Sequence, residues 1–201
     1  LDPLHGHSSP IWSVSFSPDG KTIASAGEEG IVRLSKADCS ELDPLNGHSG
    51  PAWSVSFSPD GEMIASAGKD GTVRLWKPDG TPLATLHGHS GSAWSVSFSP
   101  DGETIASAGD DGTVRLWKPD GTPLAILHGH SSPVWSVSFS PDGKTIASAG
   151  DDGTVKLWNL DSDDLIGKGC RWLKGYLVDL VDNPQSSEDA FAFPKVCQPR
   201  D

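Results

Sequence analysis

A serine, a histidine and an aspartate recur together along this chain, in the combination that hydrolases use for nucleophilic catalysis. His89, Ser107 and Asp111 form one such set, and equivalent residues recur before and after it. A hydrolase needs one triad in a catalytic domain, whereas this set is repeated. The repetition favours a structural role for the three side chains over a catalytic one.

The motif His-Gly-His, at residues 87–89 and 128–130, raises the separate question of a metal site, because imidazole nitrogens are common zinc ligands. No cluster of cysteines or carboxylates recurs beside the motif at ligand spacing. We therefore expect no metal and no cofactor. With no acid–base constellation outside the repeated set, we also expect that the protein is not an enzyme.

The composition excludes several classes of partner. The formal net charge is −12, which disfavours binding to nucleic acid or to an anionic membrane. No apolar stretch approaches the roughly 20 residues of a membrane-spanning helix. The cysteines, Cys39, Cys170 and Cys197, are few and odd in number, as expected in a reducing cytoplasm. A bridge between Cys170 and Cys197 remains open.

One unit is repeated four times along the chain. Leu4, Leu45, Leu86 and Leu127 open its copies, 41 residues apart. The third and fourth copies are nearly identical, whereas the first has Ser35 where the others have tryptophan. Repeats of this length indicate a stack of structural units rather than a single irregular core.

Each unit predicts four short antiparallel strands. The segment "WSVSFS" alternates, so Trp94, Val96 and Phe98 are expected on one face of a strand. "PDG" and "DDG" are typical of tight turns, and "TIASAG", "TVRLW" and "TPLATL" follow as further strands. The fold class is therefore all-β. Several such sheets can bury their faces if they stack radially.

The period, the "GH" near the start, the "SPDG" turn and the closing tryptophan resemble the WD40 repeat over residues 4–158. The closing dipeptide here is Leu-Trp rather than Trp-Asp. The resemblance implies a β-propeller of four-stranded blades, with four blades in this chain. Near-identical blades are similar to the highly repetitive WD40 arrays of bacteria, especially cyanobacteria.

The resemblance also implies a hydrogen-bonded tetrad in each blade. Tryptophan donates to serine, serine to histidine, and histidine to aspartate, so every buried polar group is paired. The tetrads map onto His48, Ser66, Asp70 and Trp76; His89, Ser107, Asp111 and Trp117; and His130, Ser148, Asp152 and Trp158. The first copy keeps His7 and Ser25 but has Glu29 and Ser35. Two explanations stay open, a terminal repeat with different neighbours and neutral drift.

WD40 propellers mostly bind partners through loops at one end of their channel. The contact positions that the family implies here are four tryptophans, Trp12, Trp53, Trp94 and Trp135, and the residues before each tetrad acid, Glu28, Lys69, Asp110 and Asp151. Aromatic rings beside acids suit a basic peptide or protein. Alternatively the tryptophans stack on one another and wall the channel; the two readings are compatible.

Four blades cover only about half of a seven- or eight-bladed ring. We therefore expect a homodimer that closes an eight-bladed propeller, with residues 1–4 as the closing outer strand of the partner's last blade, a velcro closure. The domain boundaries are 1–160 for the blades and 161–201 for a tail that contains a short C-terminal α-helix. The alternative is a fragment or recent amplification product of a longer array from a signalling protein, with no selected ligand.

Overall fold

The computed structural model describes residues 6–38 and 40–160, which form four antiparallel sheets and, within those ranges, no helix. The all-β prediction and the four repeated sheets are confirmed. The predicted tail helix, the closing strand at residues 1–4 and all three cysteines lie outside the described residues. The sheets lie in one compact unit whose boundary, at Trp158, falls one residue before the last strand ends. No helix long and apolar enough to span a bilayer occurs in the described ranges.

The first two sheets each contain four strands in sequence order. The first sheet consists of β1 (Ile11–Phe16), β2 (Thr22–Gly27), β3 (Ile31–Lys36) and β4 (Leu45–Asn46). The second sheet consists of β5 (Ala52–Phe57), β6 (Ile64–Gly68), β7 (Thr72–Trp76) and β8 (Pro82–His87). The outer strand of the first sheet is thus the shortest of these elements.

The third sheet repeats this order, whereas the fourth has three strands in the described part of the chain. The third sheet consists of β9 (Ala93–Phe98), β10 (Ile105–Gly109), β11 (Thr113–Trp117) and β12 (Pro123–His128). The fourth consists of β13 (Val134–Phe139), β14 (Thr145–Gly150) and β15 (Val155–Asn159). The sequence predicts this difference, because residues 159–167 do not repeat the segment "TPLATL" that forms an outer strand.

The turn after each first strand is fixed by a serine and an aspartate. In the second sheet the Ser58 hydroxyl donates to Asp60 Oδ1 at 2.6 Å, and the Glu62 backbone N–H donates to the same oxygen at 2.9 Å. Gly61 follows with φ +75°, a backbone conformation that side-chain-bearing residues rarely adopt. These local bonds explain why "SPDG" recurs in every unit.

The first strand of each sheet has a β-bulge at a tryptophan, which interrupts the alternation of side chains between the two faces of the strand. The register between the first and second strands shifts across Trp12, Trp53, Trp94 and Trp135 in the four sheets. The expectation that Trp94 shares a face with Val96 and Phe98 is therefore wrong. Val96 and Phe98 enter the core between the second and third sheets, while Trp94 is only half-buried and lies outside that core.

The core is divided into layers between consecutive sheets. The layer between the first and second sheets packs Val32, Leu34 and Leu45 against Phe57 and Trp76, among others. Equivalent residues of the second and third sheets form the next layer. Each sheet therefore offers one face to the sheet before it and a different face to the sheet after it.

Hydrogen bonds also join the first strands of consecutive sheets. The backbone N–H groups of Val55, Val96 and Val137 donate to serine hydroxyls of the preceding sheet, at 3.1, 3.2 and 3.2 Å. The acceptors are Ser13, Ser54 and Ser95. These hydroxyl links explain why serine alternates with apolar residues in β1, β5, β9 and β13.

Candidate functional site

The third sheet shows the repeated set in full. His89 Nδ1 lies 3.0 Å from Asp111 Oδ1, and His89 Nε2 lies 2.8 Å from Ser107 Oγ. Trp117 Nε1 donates to Ser107 Oγ at 2.9 Å. Because a carboxylate only accepts and an indole only donates, the direction of the chain is fixed. The bonds run from Trp117 to Ser107, then to His89, then to Asp111.

The second and fourth sheets hold the same arrangement. The histidine–serine distance is 2.8 Å in both. The indole–serine distances are 3.0 Å for Trp76 and 2.8 Å for Trp158. The remaining members, which complete these two tetrads, are His48, Ser66, Asp70, His130, Ser148 and Asp152. All three predicted tetrads are thus assembled as separate units, one in each sheet.

The tetrad aspartates stay ionised although they are nearly buried. Burial alone raises the pKa of Asp70, but hydrogen bonds from the Thr72 hydroxyl, the Ser49 backbone N–H and His48 outweigh it and lower the pKa to about 2. Burial also raises the pKa of Asp111, but hydrogen bonds from Thr113 and His89 outweigh it and lower the pKa to about 2. The threonines were not anticipated from the sequence, although one follows each tetrad aspartate by two residues.

His48 and His89 are neutral for a matching reason. Burial lowers the pKa of His48 and of His89, and it outweighs the opposing hydrogen bond from each ring to its aspartate. A neutral imidazole carries one N–H and one acceptor nitrogen. The N–H faces Asp70 or Asp111, and the acceptor nitrogen faces the serine hydroxyl. Protonation would remove that acceptor and break the chain of bonds.

The first sheet has a different and incomplete set. His7 Nε2 still lies 2.9 Å from Ser25 Oγ. The longer side chain of Glu29 places its carboxylate against the backbone N–H and hydroxyl of Ser8. Its other oxygen lies 3.6 Å from His7 Nδ1, too far for a hydrogen bond, and this buried nitrogen has no partner within residues 6–38 and 40–160. Ser35 is buried at the tryptophan position and supplies no indole donor.

The tetrad geometry argues against a hydrolase mechanism. Ser107 has no exposed surface, and its oxygen is already held by Trp117 and His89. A substrate carbonyl would have to open the core between two sheets to reach this oxygen. As for metal binding, residues 6–38 and 40–160 bring no three His, Cys, Asp or Glu side chains close enough to hold an ion.

The bulged tryptophans form a continuous row across the four sheets, which we call the indole row. The ring centroids are 5.6 Å apart for Trp12 and Trp53, 4.8 Å for Trp53 and Trp94, and 4.7 Å for Trp94 and Trp135. Such spacings are typical of favourable aromatic contact. The rings are tilted or edge-on to one another, with interplanar angles of 56°, 30° and 62°. The two end members, Trp12 and Trp135, are the more exposed.

Acidic side chains border the indole row at two of its members. Trp12 Nε1 donates to Glu28 Oε2 at 3.2 Å, and Trp94 Nε1 donates to Asp110 Oδ1 at 2.6 Å. Lys69 occupies the equivalent position beside Trp53 and cannot accept such a bond. Asp151 is exposed at the fourth position, with its backbone bonded to Pro133. The predicted surface residues are therefore brought together, with one cation among three acids.

Among the described residues, the outermost sheets carry exposed apolar faces. On the first sheet Val14 and Phe16 are 65% and 61% exposed, whereas their counterparts Val55 and Phe57 are 5% and 7% exposed. We call the surface of Ile11, Val14 and Phe16 the first-sheet face. On the fourth sheet Val155 and Leu157 are 69% and 72% exposed, and they define the fourth-sheet face.

Comparison with known proteins identifies the repeats. The model of the family "WD domain, G-beta repeat" matches residues 1–34, 39–77, 80–118 and 121–159. A 38-residue stretch is 50% identical to "Eukaryotic translation initiation factor 3 subunit I" of Dictyostelium discoideum. That stretch is 19% of this chain and spans only 12% of the length of that relative.

Proposed function

This chain belongs to the WD40 repeat family, and on that premise we propose that it is a non-catalytic scaffold that binds a protein or peptide at the indole row. WD40 proteins generally act through interaction rather than catalysis. The observation that carries the proposal is the row itself, an aromatic surface with acids hydrogen-bonded along its border. The tetrads, whose serines and tryptophans form hydrogen bonds within each repeat, are assigned a structural role in this proposal.

The chemistry of the row favours a basic partner. Arginine and lysine side chains pack on indole faces and pair with nearby carboxylates. Glu28, Asp110 and Asp151 supply those charges, and Trp12 and Trp135 supply exposed ring surface. The row has a packing role as well, because its inner members contact one another. Binding and packing are compatible, since each ring has two faces and an edge.

The binding role is tested by replacing Trp53, Trp94 and Trp135 with alanine. Binding of a fluorescein-labelled Arg-Gly-Arg-Gly-Arg peptide, measured by fluorescence anisotropy, should be lost in this variant, while the melting temperature falls only slightly. A matched peptide with citrulline in place of arginine controls for charge. A large fall in melting temperature with unchanged peptide binding would assign the row to packing alone.

The scaffold is further proposed to be a two-chain, eight-bladed ring. The first-sheet and fourth-sheet faces carry the residue types that pack against each other inside the chain, where Val55 and Phe57 lie on Val32 and Leu34. Each large apolar side chain buried in this way contributes about 1.5–3 kcal/mol. A second copy would cover both faces at once, with residues 1–4 extending the partner's fourth sheet beyond β15.

The alternative remains a piece or recent amplification product of a longer signalling array without a ligand of its own. The near-identical repeats favour a bacterial, cyanobacterial-type array, and the cysteine content favours the cytoplasm. The Dictyostelium relative is a subunit by name, which accords with a role in assembly. A peptide-array screen separates the two readings, because a ligand-free array should retain no sequence-selective peptide.

A further inference from the structure

The second sheet breaks the charge pattern of the indole row. The residue that precedes the tetrad acid is acidic in the first, third and fourth sheets but is Lys69 in the second. In the first and third sheets the acid accepts the indole N–H of its own sheet, from Trp12 and Trp94. One position of the row therefore offers the opposite charge from its neighbours.

The same substitution leaves a hydrogen-bond donor without an acceptor. Trp53 Nε1 is buried and has no partner among the described residues. An unpaired buried donor is costly, because it loses its water without gaining another bond. The third sheet shows what satisfies it, since a carboxylate oxygen of Asp110 sits 2.6 Å from Trp94 Nε1. A carboxylate oxygen supplied from outside the chain would satisfy the Trp53 donor in the same way.

Lys69 supplies the charge that such a group would need. Its side chain is exposed, and no carboxylate of the described residues lies within ion-pair distance of its ammonium. The aliphatic part of the Lys69 side chain lies beside Gly50. A Cβ atom added at Gly50 would be 3.5 Å from the Cβ of Lys69. A lysine side chain is long and flexible, so the Lys69 ammonium can move towards an anion held by the indole N–H.

We infer that Lys69 and Trp53 form a carboxylate subsite within the indole row, which rests on the proposed function of that row. One oxygen of the ligand carboxylate accepts the Trp53 indole N–H, and the other pairs with the Lys69 ammonium. The neighbouring negative charges of Glu28 and Asp110 oppose the anion, so its binding depends on Lys69. The partner carries an acidic side chain flanked by basic ones.

Two matched peptides test this subsite. Acetylated and amidated Arg-Gly-Glu-Gly-Arg and Arg-Gly-Gln-Gly-Arg differ only in the central charge. The wild-type chain should bind the glutamate peptide about fivefold more tightly by isothermal titration calorimetry, in keeping with a charge-assisted hydrogen bond at a partly exposed site. Lys69→Asp restores the pattern of the other sheets and should reverse the preference. Asp110→Lys creates an equivalent site in the third sheet and should increase the preference for the glutamate peptide.

A second measurement keeps the subsite separate from peptide binding. The indole N–H resonance of Trp53, assigned with Trp53→Phe, should shift when acetate is added to the wild-type chain and stay fixed in Lys69→Asp. Equal affinities for the two peptides would overturn the subsite while leaving the row as a binding surface. An acetate shift without binding of either peptide would support the subsite and overturn the proposed function. Absence of the acetate shift would overturn the subsite directly.

Discussion

Trp117 Nε1 lies 2.9 Å from Ser107 Oγ, and both groups are buried between consecutive sheets. The bond is one step of a directional chain that continues to His89 and ends at Asp111. Because each member donates a hydrogen bond to the next, loss of the first donor weakens the whole series of hydrogen bonds. The tetrads are therefore equivalent structural units, and each can be tested separately by substitution.

Trp117→Phe should destabilise the protein by roughly 1–3 kcal/mol, because most of the packing is kept while Ser107 loses its donor. The urea midpoint of unfolding measures the change. The matched control is Ser35→Phe, where the first sheet has no indole to lose and His7 keeps its bond to Ser25. Equal destabilisation at the two sites would contradict the tetrad assignment.

Glu29→Asp should stabilise the first sheet by roughly 0.5–1.5 kcal/mol, because a shorter carboxylate can reach the unpaired His7 Nδ1. The reciprocal change, Asp111→Glu, should destabilise the third sheet by drawing the carboxylate away from His89. Urea midpoints of the two variants should therefore move in opposite directions. If both variants lose stability alike, the length of the side chain does not explain why Glu29 fails to bond to His7.

The tetrads also predict how stability depends on pH. Burial lowers the pKa of His48 and His89 in the folded state, so the unfolded chain binds protons first and stability falls as the pH drops below about 6.5. Asp70 and Asp111 have folded pKa values of about 2. Their contribution is present above about pH 4 and is lost as the pH falls from there towards about 2. Urea midpoints should decline in these two windows, and a midpoint that stays constant down to about pH 4 would contradict the histidine step.

Much of this fold could be predicted from the sequence because the four copies of the repeat can be aligned with one another. The resemblance to WD40 repeats implied which residues form each tetrad, and the 41-residue period places His89, Ser107, Asp111 and Trp117 in register with two other sets. The chemistry of donors and acceptors then gives the order of the hydrogen bonds. The three strands described in the fourth sheet agree with the same pattern, because residues 159–167 do not repeat the outer-strand segment.

Other features depend on backbone geometry that residue types do not reveal. The bulge at Trp94 displaces the ring from the face of Val96 and Phe98, and alternation alone cannot indicate an inserted residue. The unpaired nitrogen of Trp53 was missed for a related reason. The bonds from Trp12 to Glu28 and from Trp94 to Asp110 depend on where the bulge places each ring, which the residue types do not show.

The open faces lead to a prediction about assembly. The first-sheet and fourth-sheet faces differ from each other, so a two-chain ring would join unlike faces at both seams. Phe16→Asp and Leu157→Asp each place a charge on one exposed face and should convert a dimer into a folded monomer. Light scattering should report twice the chain mass for the wild type and one chain mass for each variant. Leu83→Asp, on an exposed outer-strand position away from both faces, is the control and should stay dimeric.

Mixing the two variants distinguishes a head-to-tail seam from a symmetric one. A Phe16→Asp chain keeps its fourth-sheet face, and a Leu157→Asp chain keeps its first-sheet face, so one intact seam can form between them. The mixture should therefore regain twice the chain mass although neither variant associates alone. A symmetric contact through the first-sheet face would instead be broken by Phe16→Asp and spared by Leu157→Asp, with no recovery on mixing. A wild-type chain that stays monomeric and folded at micromolar concentration would overturn the ring, because both apolar faces would then be stable in water.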